Sequence, residues 1–212
     1  MEAKMKVVQI AVGEMMANAF IVYKEGSHKA FVIDPGADYP RIKKRLEDNG
    51  ITEVTHILLT HGHFDHIGAV ARLRQETGAA VCIHRRDASM LQSDEDSLAV
   101  MAGATIEKVK PDCIFEGGEV IAAADIEVEV LHTPGHSGGS VCYLAEDAMF
   151  SGDTLFYMYC GRTDFPSSDA AEYAHSLREV LGSIKTDYTV YAGHGIKTTL
   201  FAEFKNNPFL AR

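Results

Sequence analysis

The sequence contains no apolar stretch of 18 residues, no CxxC pair, no run of five like charges and no repeat or low-complexity segment. Each absence removes a class of protein. Without a long apolar run there is no sequence candidate for a membrane-spanning helix, and no membrane association is expected. The four cysteines, Cys82, Cys113, Cys142 and Cys160, are too far apart for a CxxC metal or redox site. A chain of 212 residues does not need disulfide staples, so reduced thiols and a cytoplasmic location are expected. Basic residues are the minority, 20 against 30 acidic ones, for a formal charge of −10. A surface of that sign repels phosphate backbones, so nucleic acid is not an expected partner.

What is present is ordinary for a globular chain with a real core: 46% of residues are hydrophobic. No Pro/Gly/Ser-rich linker interrupts the chain, and one domain over residues 1–212 is expected. Lys4 and Lys6 precede a short apolar run, and Ala17-Asn18-Ala19 has the composition of a cleavage site. Gln9 and Glu14 interrupt that run, however, and the region reads as two strands rather than a signal peptide.

Strands are expected over 7–12, 19–23, 30–33, 54–59 and 79–83, then over 119–123, 126–131, 140–144, 148–150 and 189–192. Helical patterns start at Asp38 and close at Gly50, run over 67–77 to Gly78, and fill a short C-terminal segment at 200–205. Asp169 with Glu172 reads as a capping box before an apolar face of Tyr173, Leu177, Val180 and Leu181. Residues 86–104 give no clear period. Strands and helices mix in both halves, so the class is α/β or α+β.

The densest chemistry is "THGHFDHIG", residues 60–68, directly after the apolar run Ile57-Leu58-Leu59. Residues i and i+2 of an extended strand end point to one side, so His61 and His63 can offer two imidazoles to one ion. Asp65 and His66 fall where the chain turns and can serve a second. Three more candidates follow apolar strands beside glycine: His136 in "HTPGHSGG", Asp153 in "FSGDTLF" and His194 in "YAGHG". Imidazoles with carboxylates suit zinc, iron or manganese better than calcium. His56, His84 and His132 lie in or beside strands and read as structural, and His28 and His175 as surface positions. Tyr157, Tyr159 and Arg162 follow Asp153 and can shape a substrate pocket, whereas Cys160 reads as structural.

The order Asp34, His61-x-His63-x-Asp65-His66, His136, Asp153, His194 resembles the metallo-β-lactamase superfamily along nearly the whole chain. The resemblance implies an αββα sandwich of two mixed sheets with helices outside. It implies two divalent ions, zinc before iron or manganese. His61, His63 and His136 would hold the first, and Asp65, His66 and His194 the second. Asp153 would bridge them, and Asp34 would support the site from behind. Asp65 and Asp153 would also act in catalysis, by orienting the attacking hydroxide. The lactamases that name the superfamily place other residues at the His66 and Asp153 positions, which argues against antibiotic hydrolysis.

"GDTLF", "CGRTDFP" and the ending "NPFLAR" are similar to glyoxalase II of the short bacterial type. Such enzymes cleave thioesters such as S-lactoylglutathione, so a small-molecule thioester is the substrate this resemblance implies. Full-length glyoxalase II carries a helical extension that holds glutathione. Only 18 residues follow His194 here, so the resemblance reaches thioester chemistry but not glutathione as the carrier. Persulfide dioxygenases resemble the chain too and would use one iron held by His61, His136 and Asp153. A lactonase or other ester hydrolase would share every ligand. No feature of the sequence sets the oligomeric state.

Overall fold

The β-prone runs at the start of the chain form a meander. β1 (Met5–Val12), β2 (Ala17–Lys24) and β3 (Lys29–Ile33) pair antiparallel. β4 (Glu53–Leu58), β5 (Ala80–His84) and β6 (Cys113–Phe115) then extend the sheet in parallel, giving the order β1-β2-β3-β4-β5-β6. Parallel neighbours need crossovers. α1 (Tyr39–Asp48) supplies the one from β3 to β4; α2 (Phe64–Ile67) and α3 (Val70–Thr77) supply the one from β4 to β5.

The second sheet has the order β12-β11-β10-β9-β8-β7. β7 (Val120–Ala123), β8 (Ile126–His132), β9 (Val141–Ala145) and β10 (Ala148–Gly152) are antiparallel. β11 (Thr189–Ala192) joins β10 in parallel, and β12 (Thr198–Thr199) pairs antiparallel to β11. α4 (Ala170–His175) lies on the crossover to β11, and α5 (Leu200–Asn206) follows β12. The computed structural model describes residues 3–210; the ends of the expected 1–212 domain and the last two residues of "NPFLAR" lie outside the described residues.

Three apolar clusters define the layers. Phe20, Phe31 and Leu58 of the first sheet face Val128, Tyr143 and Phe150 of the second. On the outer face of the first sheet, Ile21, Val32 and Ile57 pack on Ile42 and Leu46 of α1 and on Leu73 of α3. On the outer face of the second, Leu144, Met149 and Val190 pack on Tyr173, Leu177 and Leu200. Strands covered on both faces show little alternation, as in β9 and β10, where every residue is buried. The helix–sheet–sheet–helix order is the expected αββα sandwich of two mixed sheets. Among the described residues no helix is long and apolar enough to cross a membrane, and the four cysteines are free.

Some local expectations need correction. The helix expected over 67–77 is two pieces, α2 and α3, parted at Gly68-Ala69. The chain there passes so close to the Pro35-Gly36 loop that a Cβ on Gly68 would lie 2.4 Å from the Gly36 carbonyl, and the Ala69 N–H donates to Pro35 O. Residues 85–92 and 99–102 are 3₁₀ helix. Asp169 caps α4 by accepting from the Ala171 and Glu172 N–H groups, but Glu172 does not reciprocate. Its carboxylate takes a bidentate pair from Arg86 at 2.9 Å. After α4 the helix loosens into a π turn over Ser176–Val180, and Val180 is only half-buried. β6 and β12, three and two residues long, have no expected counterpart.

Candidate metal centre

Asp34, His61, His136, Asp153 and His194 all come from loops that follow strands: β3, β4, β8, β10 and β11. Hydrogen bonds between the sheets fasten these loops to one another. Val141 N–H donates to Thr60 O at 2.8 Å and Asn18 N–H to Gly193 O at 2.7 Å, while the Tyr143 hydroxyl donates to Leu59 O at 2.7 Å.

The loops bring every sequence-predicted ligand to one place. His61, His63 and His136 each turn a ligand atom into a space under 4.8 Å across, and so do Asp65, His66 and His194. Asp153 stands between the two groups. Its Oδ1 is 3.4 Å from His66 Nε2, and its Oδ2 is 3.4 Å from His136 Nε2 and 3.7 Å from His194 Nε2. Asp34, His61 and His66 also converge, but Asp34 is spent as an acceptor. It receives Thr60 N–H at 2.8 Å and Thr60 Oγ1 at 2.6 Å, and its Oδ2 lies 3.0 Å from His66 Nδ1.

That last contact sets the tautomer. With Nδ1 held by Asp34, His66 turns Nε2 toward the centre. His136 is fixed likewise, its Nδ1 donating to Arg162 O at 2.9 Å. Ring nitrogens there face one another: His63 Nδ1 and His136 Nε2 at 3.0 Å, and His66 Nε2 and His194 Nε2 at 3.3 Å. Among the described residues, His61 Nε2 and Asp153 Oδ1 are buried with no hydrogen-bond partner. Buried polar atoms without a partner are costly unless a cation lies among them, and this donor set is one that divalent metals take.

The protonation balance follows the burial and the carboxylates. Burial holds His61 well below the ordinary histidine range, with the His66 charge adding to the effect, and pushes His63 down to about 3. Burial opposes charge on His66 too, but Asp65 and Asp153 beside it raise it well above the ordinary value. Asp153 is desolvated, yet His66 at its side holds it well below the usual carboxylate range. His61 and His63 are thus neutral imidazoles, the form that binds metal.

Asp87, fully buried, is the residue that sequence reasoning missed. It accepts Gly62 N–H at 3.1 Å, Ser137 Oγ at 2.6 Å and Gly139 N–H at 2.6 Å. It thereby ties the loop of His61 and His63 to the loop of His136. A lone aspartate in a stretch without period offers no signal of this. Tyr173, expected only as helix core, also reaches the site, accepting Gly161 N–H at 2.6 Å and donating to Thr154 O at 2.8 Å.

The histidines read as structural are placed as such. His84 and His132 stack at 4.0 Å, with Nε2 atoms on Glu116 O and Gly138 O. His56 is half-buried beside Thr55; His28 and His175 are exposed. A cavity of about 570 Å³ opens above the cluster, with Phe64, Leu98, Phe156 and Phe165 among its walls. Tyr159 and Arg162 line it, and Arg162 is paired with Asp164 at 2.7 Å over the Phe165 ring. Tyr157 does not line it and is exposed. Cys160 is in the wall, its thiol pushed up by burial.

An αββα sandwich with this His/Asp cluster at its strand ends defines a metal-binding class. The family profile described as the metallo-beta-lactamase superfamily matches residues 12–194, and the chain belongs to that superfamily. It is 32% identical over 209 residues to the probable metallo-hydrolase YqgX of Bacillus subtilis, covering 97% of this chain and 98% of the relative. It is also 32% identical over 210 residues to the hydroxyacylglutathione hydrolase GloC of Haemophilus influenzae, with the same coverage of 97% and 98%. Among solved structures it is similar to the BLEG-1 B3 metallo-beta-lactamase, with a TM-score of 0.90, 33% identity and coverage of 98% and 100%. TTHA1623 in a di-iron-bound form gives a TM-score of 0.82, 34% identity and coverage of 96% and 100%. ETHE1 from Myxococcus xanthus gives 0.76, 28% identity and coverage of 96% and 83%.

Proposed function

We propose that the protein is a hydrolase of small-molecule thioesters that works with two divalent ions, zinc as first choice. The observation that carries this reading is the position of Asp153 between the two groups of ligand atoms, with Oδ2 near His136 of one and His194 of the other and Oδ1 near His66 and without a hydrogen-bond partner. His61, His63 and His136 would hold one ion and Asp65, His66 and His194 the other, with Asp153 shared. Bound divalent ions lower the pKa of a water toward about 7 and polarise a carbonyl oxygen.

The chain's own residues do the rest. Asp34 orients His66, and Arg162 O orients His136. Asp65 Oδ2, 3.3 Å from His194 Nε2, is placed to orient a water nucleophile as well as to bind metal. Phe64, Phe156 and Phe165 form apolar walls above the centre that limit bulk water. A thiolate is a good leaving group, so no strong general acid is needed. The GloC relative supports the thioester class.

The test is thiol release from S-lactoylglutathione by zinc-loaded protein. Steady turnover that Asp153→Ala lacks supports the reading; hydrolysis of nitrocefin in place of the thioester overturns it. A second reading, iron-dependent oxidation of a persulfide using His61, His136 and Asp153, draws support from the likeness to ETHE1 and to a di-iron-bound structure. Oxygen uptake with glutathione persulfide by iron-loaded protein would favour it. A lactonase reading uses the same ligands and predicts ring opening of a lactone without thiol release.

A further inference from the structure

A second cavity of about 480 Å³ adjoins the one above the metal centre, and the two share Met15, Phe64, Asp65 and Ala102 as walls. Asp65 is itself one of the clustered ligand groups, so the second cavity borders the reacting centre. A volume of this size falls in the range of small-molecule sites, about 300–1,000 Å³.

The wall chemistry of the second cavity is distinctive. Val12, Ala37, Tyr39, Ala69, Ala104 and Ile106 are among its walls. Its charged groups are the carboxylates Glu14, Asp38, Asp65 and Glu107 and one cation, Arg72, which Glu76 engages at 2.6 Å. A carboxylate or phosphate entering here would meet four acidic groups and one cation already paired. Met15, a wall of both cavities, is 56% exposed, and Met101 of the metal-centre cavity is 70% exposed. Flexible, polarizable side chains of this kind adapt to apolar ligands of varying shape. The metal-centre cavity, by contrast, has Arg162 and Tyr159 among its walls, neither of which lines the second cavity.

We propose that the second cavity is an acyl-chain subsite. It takes the uncharged apolar chain of a thioester whose carbonyl lies at the metal centre and whose thiol portion lies toward Tyr159 and Arg162. In the reaction the C–S bond breaks; water supplies oxygen to the carboxylic acid and a proton to the thiol. The inference rests on the thioester reading for its chemistry and on the wall composition for its specificity. Each methylene buried in such a groove raises kcat/KM roughly fourfold until the space is filled.

The experiment uses zinc-loaded protein and S-acyl N-acetylcysteamine thioesters from acetyl to hexanoyl, alongside S-alkyl thioacetates that lengthen the thiol side instead. Binding of the non-hydrolysable S-methyl and S-hexyl N-acetylcysteamine thioethers is measured by calorimetry in parallel. The expected result is a rise of roughly two hundredfold in kcat/KM from acetyl to hexanoyl, a flat thioacetate series and tighter binding of the hexyl thioether. Ala104→Asp, which puts a carboxylate into the second cavity, should cut the hexanoyl-to-acetyl ratio at least tenfold, and Ala104→Leu should shorten the best chain. A flat acyl series with equal thioether binding overturns the subsite while leaving the thioesterase reading intact. A preference for longer thiols, or chain-length dependence untouched by Ala104→Asp, also overturns it. Length-dependent thioether binding without turnover of any thioester overturns the thioesterase reading and leaves the subsite standing.

Discussion

Asp34 Oδ2 lies 3.0 Å from His66 Nδ1, and both residues are fully buried. The contact decides which His66 nitrogen faces the centre, and the same carboxylate holds Thr60 at the mouth of the histidine loop. Asp34→Asn keeps the volume and tolerates the backbone φ of +47°, but it replaces an anionic acceptor with an amide. Metal affinity should fall roughly 10- to 100-fold with little loss of fold. Competition against a chromogenic zinc chelator measures this, and an unchanged affinity would contradict the orienting role.

Asp87 calls for a different variant. Asp87→Ala strands the buried Gly62 and Gly139 N–H groups and leaves the Ser137 hydroxyl only its contact with Ser140 Oγ at 2.8 Å. A stability loss on the order of 3 kcal/mol is expected, or roughly 10 °C in Tm. Because Asp87 bridges two ligand loops, metal content should fall with it. Thermal unfolding and metal analysis of the same preparation check both effects.

Gly193 is constrained from the other side of the centre. A Cβ there would lie 2.3 Å from Asp153 Oδ1 and 2.9 Å from the Gly152 carbonyl carbon. Gly193→Ala should therefore displace Asp153, and lower metal occupancy at a folding cost of about 1–3 kcal/mol. A metal-replete variant with native Tm would show that Asp153 has room to move.

The metal should also be a stability element. His61 Nε2 and Asp153 Oδ1 are buried without a hydrogen-bond partner and are left uncompensated without a cation. Chelation should lower Tm, and zinc added at a hundredfold over its Kd should restore about 2.7 kcal/mol. Equal Tm with and without chelator would argue against a metal among these groups.

Cys142 is fully buried between the second sheet and its outer helix, and burial pushes its thiol up to about 11. Raising a thiol's pKa reduces the thiolate at a given pH, so alkylation near pH 8 should be very slow. Iodoacetamide followed by peptide mass spectrometry should leave Cys142 unmodified in native protein and label it in guanidinium. Early labelling would contradict the packing of that layer.

Much of the site was legible because its residues follow strands with strong apolar signals. β4 and "HGHFDH" are adjacent in sequence, and His136, Asp153 and His194 each sit beside glycine after a β run. The choice of His136 over His132 was not readable from spacing, because both follow the same strand. In space the two part: His132 Nε2 lies against Gly138 O while His136 Nε2 faces the cluster. Asp87 was invisible for the opposite reason, since its partners lie 25 to 52 residues away and its own segment is 3₁₀ helix. β6 escaped notice because three residues carry no measurable period, and Tyr157 was expected in the pocket wrongly because sequence proximity to Asp153 does not say which way a loop turns.

The most direct test of the central claim is the metal stoichiometry of the purified chain and of Asp153→Ala, by inductively coupled plasma mass spectrometry after zinc loading. The account predicts two ions per native chain, and loss of at least one, together with activity, in the variant. A native chain that saturates at one ion, or an Asp153→Ala protein that keeps two and turns over substrate, would contradict it.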